Sequence, residues 1–394
     1  MNRQLFLLGS LYLAQGLPYG FFTQALPVLL REQGLALPLI GLAQLLMLPW
    51  ALKFLWAPLV DRVESRRGRR RAVIIPIQLA SITILATLAL TATPSAMWAL
   101  CVGVLLVNVC AATQDIATDA LAVETLGPSE RGLGNGLQVG AYRVGMVLGG
   151  GAILWLFGRA GWTVAFLAMA GVLALSSVPI VLHREQPAPR VEAPPRQLLR
   201  DAFSRPGFAA WTVVLVTYKT GEWFATAMLR TFLTDAKQSM EDIAVMVGMG
   251  GFAAGLTGAV IGGLLTTRLG RRRALVTFGV LQTLAIASMS LAVVSPSVST
   301  FYAITIAEHF TSGMATAALF TAMMDFSRPT TAGTDYTVQA SLVVISTGAA
   351  VLLSGVSAKA LGYANHFLVA AALSAVGVVA VLTYRPRHRE LAFL

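Results

Sequence analysis

The sequence predicts an all-helical polytopic membrane protein of twelve spans, arranged as two six-span halves. Three observations predict it. Of 394 residues, 56% are hydrophobic and only 12% are charged, about half the charge of a soluble domain, and mean hydropathy is +0.72. Apolar runs of about 20 residues, each enough to cross a bilayer core, recur along the whole chain. An Arg-rich loop recurs at the same place in each half.

Hydropathy sets the first six spans over 5–30, 39–60, 72–92, 97–122, 133–157 and 161–182. The second six fall over 208–233, 242–266, 274–294, 299–323, 337–358 and 363–384. The first span is read as retained, because "MNRQLFLLGSLYLAQGLPYG" has no small-residue cleavage site ahead of a soluble domain. The polar stretch "HREQPAPRVEAPPRQLLRDAFSRPG" separates the halves, giving bundles over 1–183 and 208–394 and a linker over 184–207. Its prolines and charges predict no buried element there.

The net charge of +11 comes almost wholly from Arg. Alternate loops hold Arg62, Arg66, Arg67, Arg69, Arg70 and Arg71, then Arg131, the linker arginines, and Arg268, Arg271, Arg272 and Arg273. The tail adds Arg385, Arg387 and Arg389. Arg in short loops is a topology signal and not a nucleic-acid footprint, and it predicts cytoplasmic termini. Cys101 and Cys110 share one expected span and form no structural bridge.

Charges at bilayer depth carry the functional signal, since each costs roughly 2.5–3.5 kcal/mol and normally faces a cavity or partner. Asp115 lies nine residues from the inner end of span 4, about 13 Å at 1.5 Å per residue. Arg143 lies at similar depth in span 5 and is the expected partner of Asp115, either as a structural bridge or as a gate. Asp119, one turn nearer the loop, is expected at the interface or in an inner gate with Asp61 and the Arg-rich loop. Lys53 is placed to snorkel toward that loop or to serve the gate. Lys219 and Glu222, three apart on span 7, are either a neutralised pair or an anion and proton site. Glu308 beside His309, mid-depth on span 10, suits a proton relay; packing is the alternative for His309.

Candidate cavity residues are Tyr19, Gln24, Gln114, Tyr142, Arg143, Lys219 and Trp223, aromatic, amide and cationic groups suited to an anionic organic solute. Candidate proton-coupling residues are Asp115, Glu222, Glu308 and His309. The gate set is Lys53, Asp61, Arg62, Asp119, Arg268 and Arg271. Glycine-rich stretches "QGLPYGFF", "GGG" at 149–151 and "GMGGFAAG" predict close helix contact or bending. The sequence holds no phosphate-binding loop, no metal-ligand spacing and no nucleophile elbow. The expectation is a transporter without cofactor or metal; a membrane enzyme and a scaffold are the weaker readings.

The loop after span 8, Gly263-x-x-x-Thr267-Arg268-x-Gly270-Arg271-Arg272, resembles the loop motif of the major facilitator superfamily, with Thr267 replacing its acid. The copy after span 2 keeps Asp61 and Arg62 but has Ala57 for the leading Gly and four extra residues before Gly68. "KFLWAPLVDR", "ATQDIATDALA", "RGLGNGLQVGAYRVGMVLGG" and "SRPTTAGTDYTVQAS" together resemble the AmpG-like branch, which includes muropeptide permeases, acetyl-CoA transporters and siderophore importers. The resemblance covers most of the chain. It implies the twelve-helix fold, alternating access between two halves, protons as the coupling ion and a bacterial inner-membrane monomer. The opening stretch and "AGTDYTVQAS" look more like the siderophore importers, implying uptake of a siderophore; an AmpG-type muropeptide permease is the alternative.

Overall fold

The computed structural model describes residues 3–35, 43–67, 70–91, 97–184 and 191–384, and all regular structure among them is helical. Gly68, Arg69, residues 185–190 of the linker and the tail arginines 385, 387 and 389 lie outside the described residues.

The first apolar stretch runs unbroken over Arg3–Glu32. It comprises α1 (Arg3–Gly20), a π-turn at Phe21–Ala25 and α2 (Leu26–Glu32). Pro18 removes one backbone donor inside α1, and the widened turn that follows re-registers the ladder. The second stretch is more broken. A 3-10 turn (Gln44–Met47), α3 (Leu48–Leu52), a second 3-10 turn (Lys53–Leu55) and α4 (Ala57–Arg67) follow one another. Pro49 and Pro58 stand at the starts of its two α-segments, where a missing N–H costs least.

Next come α5 (Arg71–Thr91), α6 (Met97–Thr125), α7 (Arg131–Val147), a π-turn at Leu148–Ala152 and α8 (Ile153–Leu182). The "GGG" stretch therefore forms a π-turn. Segment α9 (Pro195–Phe203) corrects the expectation for the linker. Leu198 and Ala202, four apart on one helical face, are buried to 4% and 2%, while the arginines occupy the other face.

The remaining helices are α10 (Phe208–Tyr218), α11 (Thr220–Asp235), α12 (Met240–Ile243), a π-turn at Ala244–Gly250, α13 (Gly251–Leu269), α14 (Arg271–Val294), α15 (Val298–Phe326) and α16 (Ala332–Thr383). Among the described residues, seven stretches are long and apolar enough to span a bilayer. Two of these, of 52 and 55 residues, far exceed the roughly 20 that one crossing needs. Each is two helices meeting at a glycine with positive φ: Gly161 (78°) and Gly362 (74°).

Residue contacts group into two compact units. The first is Met1–Thr125, Ala141–Arg200 and Arg328–Thr337; the second is Leu126–Gly140, Asp201–Ser327 and Val338–Leu394. Glycines set the closest helix approaches within each. In the first unit, Gly16 and Gly149 press on the backbone of Tyr142 and Leu17 respectively. In the second, Gly258 and Gly262 of α13 lie on the backbone of Phe310 and Met314 of α15. Small residues here let the helices touch backbone to backbone.

Candidate functional site

In the first unit the break at residues 53–55 turns Lys53 inward. Its ammonium meets the Asp115 carboxylate of α6, and the two residues are 3% and 7% exposed. Lys53 therefore does not snorkel, and Asp115 has in it a partner that the sequence did not suggest. A buried ammonium and carboxylate at contact distance satisfy each other in a medium that solvates neither. Asp119 is also buried, at 2% exposure, and accepts from the Tyr12 hydroxyl at 2.9 Å. Its burial corrects the expectation of a hydrated residue at the interface.

Three rings stand beside the pair. Tyr19, Trp50 and Tyr142 have centroids 5.5–6.5 Å apart, with Trp50 nearly perpendicular to each tyrosine. The Lys53 ammonium lies 5.5 Å from the Trp50 ring centre, within cation–π range. Tyr19, Tyr142 and Arg143 are half-buried, so one edge of the ring cluster is open. Gln114 is buried with its amide nitrogen unpartnered among the described residues. Gln24 is exposed at the first π-turn, its amide packed on Gly150.

At the Arg-rich end of the same unit, Asp61 of α4 caps the N-terminus of α16. Its carboxylate accepts from the Gly333 amide (3.2 Å), the Thr334 amide (2.7 Å) and the Thr334 hydroxyl (2.6 Å). Free amides and the helix dipole both favour an anion there. Arg70 completes the arrangement, reaching Asp61 at 3.0 Å, Glu64, and Glu124 at 2.5 Å. Burial works against its charge, but hydrogen bonds to Glu124 and the nearby Asp61 hold the Arg70 guanidinium above its ordinary range. Arg62 is half-buried on the neighbouring turn.

The second unit holds a related pattern. Asp325, at the end of α15, accepts from Arg131 (2.7 Å) and Arg271 (2.6 Å). Thr267 stands where the first copy has its acid and donates to the Ser129 carbonyl at 3.3 Å. A hydroxyl there makes one neutral bond where Asp61 makes several charged ones. Arg268 is exposed at the end of α13. Glu124, Asp325 and Thr334 are site residues that the sequence did not single out, whereas Arg70 and Arg131 stood among its loop arginines. The available signal was an acid closing each of α6 and α15, just ahead of an Arg-bearing turn.

Deeper in the second unit, Lys219 lies at the break between α10 and α11 and pairs with Glu222 one turn on. Glu222 also accepts from the Gln282 amide and from the Ser312 hydroxyl at 2.7 Å. Trp223 is 42% exposed. On α15, His309 Nδ1 lies 2.7 Å from a Glu308 oxygen. The Thr305 carbonyl lies 3.0 Å from the same nitrogen, so a hydrogen on Nδ1 has both oxygens within reach. The imidazole edge rests on Gly251, at the end of the π-turn.

Comparison with known proteins supplies the class to which this arrangement belongs. A Haemophilus influenzae protein without an assigned function is 31% identical over 95% of this chain and 93% of its own length. The Escherichia coli anhydromuropeptide permease is 28% identical, with 94% of this chain and 78% of that protein aligned. The crystal structure of a human organic anion transporter superposes with a TM-score of 0.75 at 18% identity, covering 96% of this chain and 99% of that one. The E. coli fucose:proton symporter gives 0.74 at 13% identity, covering 97% and 98%. The pattern of the Major Facilitator Superfamily matches residues 8–334 and again 213–393. With that match running the length of a multi-pass helical chain, the protein belongs to the Major Facilitator Superfamily.

Proposed function

We propose that the protein is a secondary transporter of twelve spans that carries a cell-wall fragment of the muropeptide class inward across the bacterial inner membrane, driven by protons. The observation that carries this reading is the similarity to the anhydromuropeptide permease along 94% of the chain. It favours the muropeptide over the siderophore that the opening stretch suggested. The solute would be an amino sugar bearing an acidic peptide. Sugar faces stack on aromatic rings, as Tyr19, Trp50 and Tyr142 offer, and Arg143 is a cation for its carboxylates.

In this reading transport proceeds by alternating access, as in transporters built from repeated halves. Bonds that form in one state and break in the other bias that equilibrium. The Asp61 cap on α16 and the Asp325 pairs are such bonds, and they lie at the end carrying the Arg-rich loops, which the positive-inside bias assigns to the cytoplasm.

The test is uptake into liposomes under an inward proton gradient, with labelled anhydromuropeptide and a labelled ferric siderophore measured side by side. Accumulation of unaltered muropeptide is the expected result. Accumulation of the siderophore alone would replace the substrate class, and release of a chemically altered product would replace transport by catalysis.

A further inference from the structure

Of the three carboxyl groups expected to take up a proton, two are held by donors. Asp115 is bound by Lys53. Glu222 accepts from Lys219, Gln282 and Ser312. Glu308 differs: it is 1% exposed, neither of its carboxyl oxygens receives a well-directed hydrogen bond among the described residues, and the polar group against it is His309 Nδ1 at 2.7 Å. The hydroxyl of Thr305, one turn earlier, is buried and has no hydrogen-bond partner among them. With no lysine bound to it and only the titratable His309 within reach, Glu308 exchanges a proton without stranding a fixed buried cation, whereas protonation of Asp115 or Glu222 strands a buried lysine.

The elements packed on this part of α15 bring few other charges. The π-turn and α13 carry no titratable side chain from Ala244 to Thr267, and α14 carries none from Ala274 to Val294. The α10–α11 break contributes Lys219 and Glu222, bonded to Ser312 one turn beyond Glu308. The remaining group is His309, whose side chain is 18% exposed against 1% for Glu308. It therefore stands between the buried acid and the more open side of the helix. Its Cδ2 and Nε2 lie so close to Gly251 that an added methyl would sit 2.8–2.9 Å from them. Gly251 directly follows the π-turn at Ala244–Gly250, a helix irregularity that recurs at functional sites.

Resting on the transport reading above, we propose that Glu308 binds the coupling proton, that His309 delivers it, and that Gly251 is the contact through which the imidazole position reaches the π-turn. A proton arriving at Nε2 makes the imidazolium. Nδ1 then releases its proton as the O–H bond to Glu308 forms, leaving a neutral acid and an imidazole protonated at Nε2. The net change is one proton moved from water to Glu308, and release reverses it.

Infrared difference spectra of the purified protein in lipid, between acidic and alkaline buffer, test the proton without any solute. The carboxylic C=O band should be lost in Glu308→Gln and kept in Asp119→Asn and Asp115→Asn. A band that survives in Glu308→Gln, or that vanishes with Asp119→Asn instead, overturns the assignment. In His309→Gln the band should persist while its response to a pH jump slows; an unchanged rate removes His309 from the path. In liposomes, Glu308→Gln should keep counterflow of labelled anhydromuropeptide yet lose gradient-driven accumulation, with counterflow proving the variant folded. Wild-type protein that moves no muropeptide refutes the substrate reading, while the spectra still decide the proton site. Gly251→Ala should displace the ring and shift the band; an unshifted band refutes the contact.

Discussion

Lys53 is a cation at 3% exposure whose charge is met by Asp115, so the two stand or fall together. Asp115→Asn should lower stability by roughly 3 kcal/mol, the low end for a broken buried pair, because Asp119 stands one turn away. Combining it with Lys53→Met should recover most of that loss. Thermal unfolding in detergent of the single and double variants measures the coupling; additive losses would mean that the pair is not a pair. Arg70 makes a different demand, because one guanidinium serves Asp61, Glu64 and Glu124. Arg70→Lys keeps the charge but not the fork, and should destabilise nearly as much as Arg70→Met. Full stability in the lysine variant would show that charge alone is required. The depth of Asp115 was legible in the sequence, yet its partner was not. Depth alone suggested Arg143, and only the 3-10 break at 53–55 reveals that Lys53 also points inward.

At the scale of the helix, glycine placement decides which positions tolerate a side chain. Gly258 of α13 lies on the Phe310 carbonyl of α15, whereas a Cβ on Gly355 meets nothing within 4 Å. Gly258→Ala should cost about 1–3 kcal/mol through overpacking. Gly355→Ala should be neutral or stabilising by up to about 1 kcal/mol through helix propensity. Equal melting shifts for the two would refute packing as the reason for Gly258. The glycine-rich stretches were readable as sites of contact or bending. That three of them carry π-turns was not, since a π-turn is one extra residue in a ladder whose partner helix selects the register. The linker shows the same limit from the other side. Its composition argued against a buried helix, but Leu198 and Ala202 needed only one neighbouring surface to form one.

For the whole molecule, the bond set at Asp61 joins α4 to the first turn of α16, more than 270 positions later in the chain. Asp61→Ala strips an acceptor from two α16 amides and a hydroxyl, a capping loss of about 1–2 kcal/mol. A bond present in one transport state changes the population of states by that amount. Gradient-driven uptake should therefore fall by roughly five- to thirtyfold if this state is needed for turnover, with the variant still folded by thermal unfolding. Unchanged uptake would leave Asp61 a structural cap only.

The membrane class, the Arg-rich loops and the family were determined by the sequence itself, because hydropathy, charge placement and short motifs are local properties that survive without neighbours. Which charges meet, which buried acid has no lysine bound to it and which helix end Asp61 caps were decided only by the tertiary structure. Those are properties of pairs, and in an apolar medium the partner that packing brings within contact distance is the one that counts.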